Sequence, residues 1–205
     1  MERHVFQVGA FEVNCTVLAF GSRAWIVDPG AEAGRLIEIL GRLGAEPEAF
    51  VLTHAHFDHI GALPRLAKAF PDVPLFVHEA DRPVLTHALN QYPPDYPPIR
   101  SEELPRSIRP VRELAEATGR AVKVIETPGH TPGGVCYHFP DEKLLLSGDT
   151  LFAGSVGRTD LPGGDMATLM KSMEALKALP DETVVIPGHG MFTRIGAERS
   201  SNPFW

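Results

Sequence analysis

The stretch Thr-His-Ala-His-Phe-Asp-His at residues 53–59 contains four potential metal ligands within six positions. The residues before it, Ala-Phe-Val-Leu, predict a short buried strand, so the cluster should lie at the carboxyl end of that strand. In extended or loop backbone, residues two apart point the same way, so His54 and His56 can share one metal ion. A change toward helix near Asp58 and His59 would direct these two side chains to a neighbouring point. Imidazole nitrogen and carboxylate oxygen suit zinc, iron or manganese.

Further ligands are needed, because six residues cannot complete two coordination spheres. The sequence offers three candidates, each after a predicted strand and beside glycine: His130 in Pro-Gly-His-Thr-Pro-Gly, Asp149 in Ser-Gly-Asp-Thr and His189 in Pro-Gly-His-Gly. Glycine allows the tight turn and close backbone approach that a crowded site requires. Five histidines and two aspartates exceed the three protein ligands of a single catalytic zinc. We therefore predict two ions, the first bound by His54, His56 and His130, the second by Asp58, His59 and His189, with Asp149 bridging them.

The order of predicted elements indicates the fold class. A hairpin within residues 11–27 comes first, and strands then alternate with helices in a pattern that roughly repeats in the second half. This order predicts two sheets facing each other with helices outside both. No linker divides the chain, so we predict one domain over residues 1–205. The other expected segments are helices at 31–43, 60–70 and 166–179, the last with Asp165 as its N-cap, strands at 75–77 and 183–186, an irregular proline-rich loop at 91–109 that would serve as a lid or as a stiff surface connection, and a short tail.

Composition limits the classes of partner. The formal net charge is −7 and no run of Lys and Arg occurs, so we expect no nucleic-acid partner. An acidic surface favours a soluble enzyme with a small substrate. The two cysteines, Cys15 and Cys136, are predicted to be buried thiols in a reducing compartment. No apolar run approaches the roughly 20 residues of a membrane helix, and no secretory signal is evident, so we expect a cytoplasmic protein without membrane contact.

These residues resemble the metallo-β-lactamase superfamily along the whole chain. The resemblance runs through Asp28-Pro29-Gly30 and residues 53–59 to His130, Asp149 and His189, in the order of that family. It implies an α+β fold, the four-layer αβ/βα sandwich of two facing mixed sheets with helices outside. Residues 151–165 and 193–204 are similar to glyoxalase II and its shorter, single-domain hydroxyacylglutathione hydrolase-like relatives. That likeness implies cleavage of a thioester such as S-lactoylglutathione to lactate and glutathione.

The resemblance also implies roles for individual residues. We expect a metal-bound hydroxide to attack the thioester carbonyl, with Asp58 and Asp149 as the catalytic aspartates. Asp28 and Thr53 are expected to orient the metal-binding imidazoles, although Asp28 could instead cap a turn or helix.

Substrate recognition departs from the family pattern. Arg158 stands where the family has a lysine that grips glutathione, and we predict that it binds a substrate carboxylate. The alternative for Arg158 is a surface ion pair with Asp160 or Asp165. The tyrosines of the family are absent, with Asp160 and Met191 near their places.

Other activities of the same superfamily stay open. A mononuclear iron persulfide dioxygenase would use His54 or His56 with His130 and Asp149. A lactonase or β-lactamase is a further alternative. The acidic balance disfavours an RNA-processing nuclease, and the complete ligand set disfavours a non-catalytic binding module. For the two divalent ions we predict zinc first, with iron or manganese as alternatives.

Overall fold

A computed structural model describes all residues from 1 to 205 and divides into two compact units, Met1–Val111 and Arg112–Trp205. Each unit is built on one main β-sheet. The single domain expected over residues 1–205 stays a prediction.

The first unit contains a six-stranded sheet in the order β1-β2-β3-β4-β5-β6. The strands are β1 (Glu2–Val8), β2 (Val13–Phe20), β3 (Arg23–Val27), β4 (Glu46–Val51), β5 (Leu75–Val77) and β6 (Ile108–Pro110). The first three are antiparallel neighbours, whereas β3 to β6 run parallel. Because parallel strands end at the same edge, the segments that follow β3, β4 and β5 are neighbours there.

Two amphipathic helices cover one face of this sheet. The helices of the unit are α1 (Ala33–Leu43), α2 (Phe57–Ile60) and α3 (Leu63–Ala69), and single 3-10 turns occur at Arg82–Thr86 and Ser101–Glu103. Leu36 and Leu40 of α1 and Leu66 of α3 are buried in one cluster with Ile26 and Phe50 of the sheet. Burial of each such side chain contributes about 1.5–3 kcal/mol, so this cluster is what holds the strand ends in place.

The second unit contains a five-stranded sheet in the order β13-β12-β9-β8-β7 and a separate two-stranded hairpin, β10-β11. The strands are β7 (Lys123–Glu126), β8 (Val135–Phe139), β9 (Leu144–Gly148), β10 (Leu151–Phe152), β11 (Ser155–Val156), β12 (Val184–Pro187) and β13 (Thr193–Arg194). Both β7 and β9 are antiparallel to β8, and β12 is parallel to β9. The strands β7, β9 and β12 therefore run the same way and end at one edge of the sheet.

The helices of the second unit are α4 (Leu114–Thr118), α5 (Met166–Leu176) and α6 (Ile195–Ser201), and a 3-10 turn occupies Val111–Glu113 at the boundary in the chain. Helix α5 begins as predicted, because the Asp165 side chain accepts a hydrogen bond from the Thr168 N–H at 2.7 Å. Its buried residues Leu169, Met173 and Leu176 recur at helical spacing and pack in one cluster with the sheet.

Several sequence predictions about the first unit need correction. The hairpin within 11–27 is present as β2 and β3, but the preceding strand β1 was not expected. The single helix at 60–70 is wrong, since α2 and α3 are separate. The reason is close backbone packing: a Cβ on Gly61 would lie 2.4 Å from the Gly30 carbonyl oxygen, and the Ala62 N–H donates to the Pro29 carbonyl at 2.9 Å.

The loop predicted to be irregular and the C-terminal tail both contain regular structure. The loop at 91–109 was expected to be irregular throughout, yet β6 pairs with β5 there. The short tail contains β13 and α6, which the sequence did not predict. These elements are short, β6 pairs with a strand more than 30 positions earlier, and the Glu198 side chain of α6 accepts from the distant Gly154 N–H, so no local periodicity reveals them.

Two further features of the structure concern the cysteines and the possibility of membrane-spanning helices. Cys15 and Cys136 are both buried and free of disulfide bonds, as predicted. None of the helices has the length and apolar character needed to cross a membrane.

Candidate metal centre

In the first unit, residues 53–59 carry four candidate ligands and are called the ligand loop. Asp28 fixes this loop to the sheet. The Thr53 N–H donates to Asp28 Oδ1 at 2.8 Å, and the Thr53 hydroxyl donates to Asp28 Oδ2 at 2.7 Å. Asp28 directly follows β3 and adopts a positive φ of 50°, which Asp tolerates better than most residues. The alternative role as a helix cap is wrong, because Glu32 is the residue at the start of α1.

The same aspartate sets the proton position on His54. An ionised carboxylate can only accept a hydrogen bond, so the Thr53 hydroxyl donates its one proton to Asp28. The Thr53 oxygen lies 3.1 Å from His54 Nδ1 and must therefore accept the proton of that nitrogen. In a neutral imidazole with its proton on Nδ1, the lone pair lies on Nε2, which is the nitrogen that can bind a metal ion.

The remaining ligands of the loop surround His54. His59 Nδ1 lies 3.2 Å from Asp28 Oδ2, and His59 Nε2 lies 3.9 Å from Asp58 Oδ2. The ring of His54 is 4.8 Å from that of His56 and 4.1 Å from that of His59, measured between centroids. The structure thus brings together all four candidates from residues 54–59.

Two residues that hold this loop were missed in the sequence. Asp81 Oδ2 accepts from the Ala55 N–H at 3.1 Å. Asn90 Oδ1 accepts from the Phe57 N–H at 2.9 Å, and Asn90 Nδ2 donates to the Ala55 and Val84 carbonyls at 2.8 and 2.9 Å. A signal existed for Asp81, because it follows β5, a parallel neighbour of β4. Asn90 lies between elements, where no pattern identifies it.

In the second unit, three strand ends supply the other candidates. His130 follows β7, Asp149 follows β9 and His189 follows β12. Asp149 Oδ2 lies 3.5 Å from His130 Nε2 and 3.6 Å from His189 Nε2. The carboxylate therefore stands between two imidazoles, as a bridging ligand would.

His130 is oriented by a backbone carbonyl. Its Nδ1 lies 2.7 Å from the Arg158 carbonyl oxygen, which can only accept, so Nδ1 is the donor and Nε2 faces away from this contact. This contact depends on Gly157. A Cβ at that position would lie 1.8 Å from the Asp149 carbonyl oxygen and 3.3 Å from His130 Cβ.

The side chain of Arg158 forms an ion pair. Its Nε and terminal nitrogen donate to the two oxygens of Asp160, both at 2.7 Å. The hydrogen bond from Arg158 lowers the pKa of Asp160 to about 2. Of the two partners expected for an ion pair, Asp160 is the one found, while Asp165 caps α5. The role of Arg158 toward a substrate stays a prediction.

The donor groups in each unit are of the kinds that bind divalent cations. Three imidazoles have Nδ1 beside an acceptor, which leaves Nε2 for the metal, and carboxylates lie within 4 Å of the imidazole nitrogens. Neutral imidazole and carboxylate are the ligands of catalytic zinc and iron sites. The strand-end ligands and the mixed sheets define the class of protein as a metallo-hydrolase fold with His and Asp ligands.

Comparison with known proteins gives the family. The metallo-β-lactamase superfamily model matches residues 8–189, and the chain belongs to that superfamily. A relative from Haemophilus influenzae, the hydroxyacylglutathione hydrolase GloC, is 35% identical over 100% of this chain and 98% of its own. The predicted family resemblance is thereby confirmed, and so is the α+β class with mixed sheets.

Two solved structures are similar over nearly their entire length. One is described as TTHA1623 in a di-iron-bound form, with a TM-score of 0.85 and 36% identity over 98% of this chain and 100% of that chain. The other is described as the BLEG-1 B3 metallo-β-lactamase, also with a TM-score of 0.85 and 36% identity, over 99% of both chains. The fold is therefore that of metallo-hydrolases.

Proposed function

We propose that the chain is a dinuclear metal hydrolase that cleaves thioesters such as S-lactoylglutathione. In this proposal the ligand sets of the two units hold the same pair of divalent ions. Zinc is the expected metal, and iron and manganese are the alternatives. His54, His56 and His130 bind one ion, Asp58, His59 and His189 bind the other, and Asp149 bridges them. The di-iron form of a 36% identical protein supports two ions.

The chemistry that such a pair supplies when bound is a water that ionises near neutral pH and an electrophile for the carbonyl oxygen. The protein's part is to hold the ligands in a fixed geometry. Asp28 orients the Thr53 hydroxyl, whose oxygen lies beside His54 Nδ1, and Asp28 Oδ2 also lies beside His59 Nδ1. Asp58 would help to hold the ions and, through a hydrogen bond to its carboxylate, would orient the nucleophile. The thiolate leaves without needing an acid.

The observation that carries the choice of thioester is the full-length likeness to the hydroxyacylglutathione hydrolase. Arg158 would bind a carboxylate of the thiol portion, because a guanidinium fork suits a planar anion. In the free protein Asp160 occupies that fork, so the substrate must displace it.

The test is elemental analysis of metal on the same sample that is assayed with S-lactoylglutathione. Two metal equivalents with thioester cleavage are expected. The Asp149→Ala variant should lose both activity and metal, while Asp181→Ala, an exposed aspartate elsewhere in the second unit, should keep both. Full activity of Asp149→Ala would contradict the dinuclear site. One iron, no cleavage and oxygen uptake with glutathione persulfide would instead support the mononuclear dioxygenase.

A second candidate is β-lactam hydrolysis, which the 36% identical structure described as a B3 metallo-β-lactamase favours. Nitrocefin hydrolysis by the same metal-loaded sample separates the two candidates. A kcat/KM for nitrocefin above that for S-lactoylglutathione would make the lactam the preferred substrate class.

A further inference from the structure

Four aromatic side chains form one cluster in the first unit, directly beside the ligand loop. These are Phe11, Phe57, Tyr92 and Tyr96, and their ring centroids lie 5.1–5.9 Å apart in five contacting pairs. Phe57 stands between His56 and Asp58 in the sequence, so its backbone is within one residue of two metal ligands. The cluster therefore adjoins the segment that carries the candidate ligands.

The outer surface of this cluster is open to solvent. Phe11 is 38% exposed and Tyr92 is 52% exposed, although both are large apolar side chains. Phe57 stacks on Tyr92 with an angle of 15° between the ring planes, and Phe11 meets both rings edge-on. Such an arrangement offers ring faces and edges to a flat or branched apolar group.

The cluster is also held rigidly. Tyr92 and Tyr96 exchange backbone hydrogen bonds at 2.7 and 2.9 Å, and Asn90 holds the Phe57 N–H. Tyr96 is only 2% exposed, and Gly9 packs so closely on it that a Cβ there would lie 2.0 Å from the hydroxyl oxygen. A rigid aromatic surface loses little side-chain entropy on binding, which favours a binding role.

Charge near the cluster selects the kind of ligand. Residues 5–22 and 83–99 contain no Lys or Arg, whereas Glu12 and Asp95 lie beside Phe11 and the two tyrosines in the sequence. An anionic group would be repelled here, and an uncharged one would not. The cluster spans only a few ring widths, so one ring or a short branched chain fits it.

We propose that Phe11, Phe57 and Tyr92 form the acyl-binding subsite of this protein and that it prefers substrates with an uncharged, apolar acyl group. This inference rests on the proposed thioester hydrolysis. The acyl portion is assigned because it is the part of a thioester joined directly to the reacting carbonyl, whereas thiol carriers are longer and usually polar. Phe57 anchors the subsite at the ligand loop, and Phe11 and Tyr92 set its specificity.

The experiment compares two thioesters of the neutral thiol N-acetylcysteamine, one with a phenylacetyl and one with an acetyl group. The metal-loaded protein should prefer the phenylacetyl substrate in kcat/KM. The ratio of the two values should fall about tenfold in Phe11→Ala and in Tyr92→Ala, as expected for loss of an aromatic contact of roughly 1.4 kcal/mol. The control is Phe20→Ala, which removes an aromatic ring from the other end of β2 and should leave the ratio unchanged.

Three outcomes would overturn the subsite. They are no preference for phenylacetyl in the native protein, equal loss for both substrates in the variants, and the same change in Phe20→Ala. A separate binding measurement distinguishes failure of the subsite from failure of the proposed thioester hydrolysis. If neither thioester is cleaved, binding of S-benzyl-N-acetylcysteamine, a thioether that cannot be hydrolysed, is measured by calorimetry. Binding that is lost in Phe11→Ala and Tyr92→Ala keeps the subsite while the thioesterase proposal fails, and absence of binding removes both.

Discussion

The Thr53 hydroxyl links Asp28 to His54. It donates its proton to Asp28, so its oxygen can accept a hydrogen bond from His54 Nδ1. Thr53→Val keeps the shape of the side chain but removes both the donor to Asp28 and the acceptor for His54 Nδ1. We expect metal affinity to fall about 10–100-fold, the usual effect of losing a partner that orients a ligand. Competition with a chromophoric chelator measures this affinity.

The control for this prediction is Thr53→Ser, which retains the hydroxyl and should bind metal nearly as the native protein does. If Thr53→Val kept native affinity, the orienting role of the hydroxyl would be wrong. Equal loss in the serine variant would point to packing of the lost methyl group instead.

In the proposed function, Asp160 competes with the substrate for Arg158. Asp160→Asn removes the negative charge and frees the guanidinium for an anionic thiol portion. Because the pair is exposed, the gain should be small, with KM for S-lactoylglutathione falling about threefold and KM for a neutral N-acetylcysteamine thioester unchanged. Asp181→Asn, which breaks the exposed pair with Arg199 at 2.8 Å, is the matched control and should change neither value. An equal shift for both thioesters would exclude a role of Arg158 in anion binding.

At the scale of elements, Gly157 allows the strand end with Asp149 to approach the segment that orients His130. Gly157→Ala would place a Cβ 1.8 Å from the Asp149 carbonyl oxygen, and backbone cannot yield as a flexible side chain does. We expect the free energy of unfolding to fall by about 1–3 kcal/mol and metal content to decrease.

Gly41→Ala is the comparison for this variant. Gly41 lies inside α1, where an added Cβ would meet no other atom within 4 Å, so alanine there should stabilise the helix by about 0.5–1 kcal/mol. Chemical denaturation of both variants gives the two free energies. Native stability and metal content in Gly157→Ala would show that the loop relaxes around the extra methyl group.

The elements also show which features a sequence can predict. Helix α1 and the strand β5 follow from apolar spacing, and the Asp165 cap follows from residue type, because these signals are local. Helix α6 was missed because the burial of Glu198 stabilises it: its carboxylate accepts from the Gly154 N–H and from Asn202 Nδ2, both at 2.8 Å. The hydrogen bond from Gly154 spans 44 positions of the chain, a separation that no periodic pattern records.

The candidate ligands were recognised from residue types at strand ends, whereas the residues that orient them were recognised only in part. Asp28 and Thr53 were expected to orient imidazoles, and the hydrogen bonds agree. Asp81 and Asn90 were missed because they hold backbone groups of residues 55–57 from segments whose position depends on sheet order. That order, β3-β4-β5, is a tertiary property of the first unit.

At the scale of the whole molecule, each unit carries one buried thiol. Cys15 belongs to the core of the first unit and Cys136 to the core of the second, and both have 0% exposure. Burial raises the pKa of the Cys15 thiol, and it raises the pKa of Cys136 to about 11. At pH 8 both folded thiols are therefore protonated and inaccessible, so neither should react with a disulfide reagent until its unit unfolds.

These thiols test whether the two units share the metal ions. Cys136→Ala leaves a probe in the first unit, and Cys15→Ala leaves one in the second. If all seven ligands hold the same pair of ions, metal binding stabilises only the state in which both units are folded. In metal-loaded protein the two thiols should then become reactive at the same denaturant concentration. Removal of the metal by a chelator should lower both midpoints and let them differ. Two separate midpoints in the metal-loaded protein would contradict a shared centre, because each unit would then unfold without releasing ligands that the other needs.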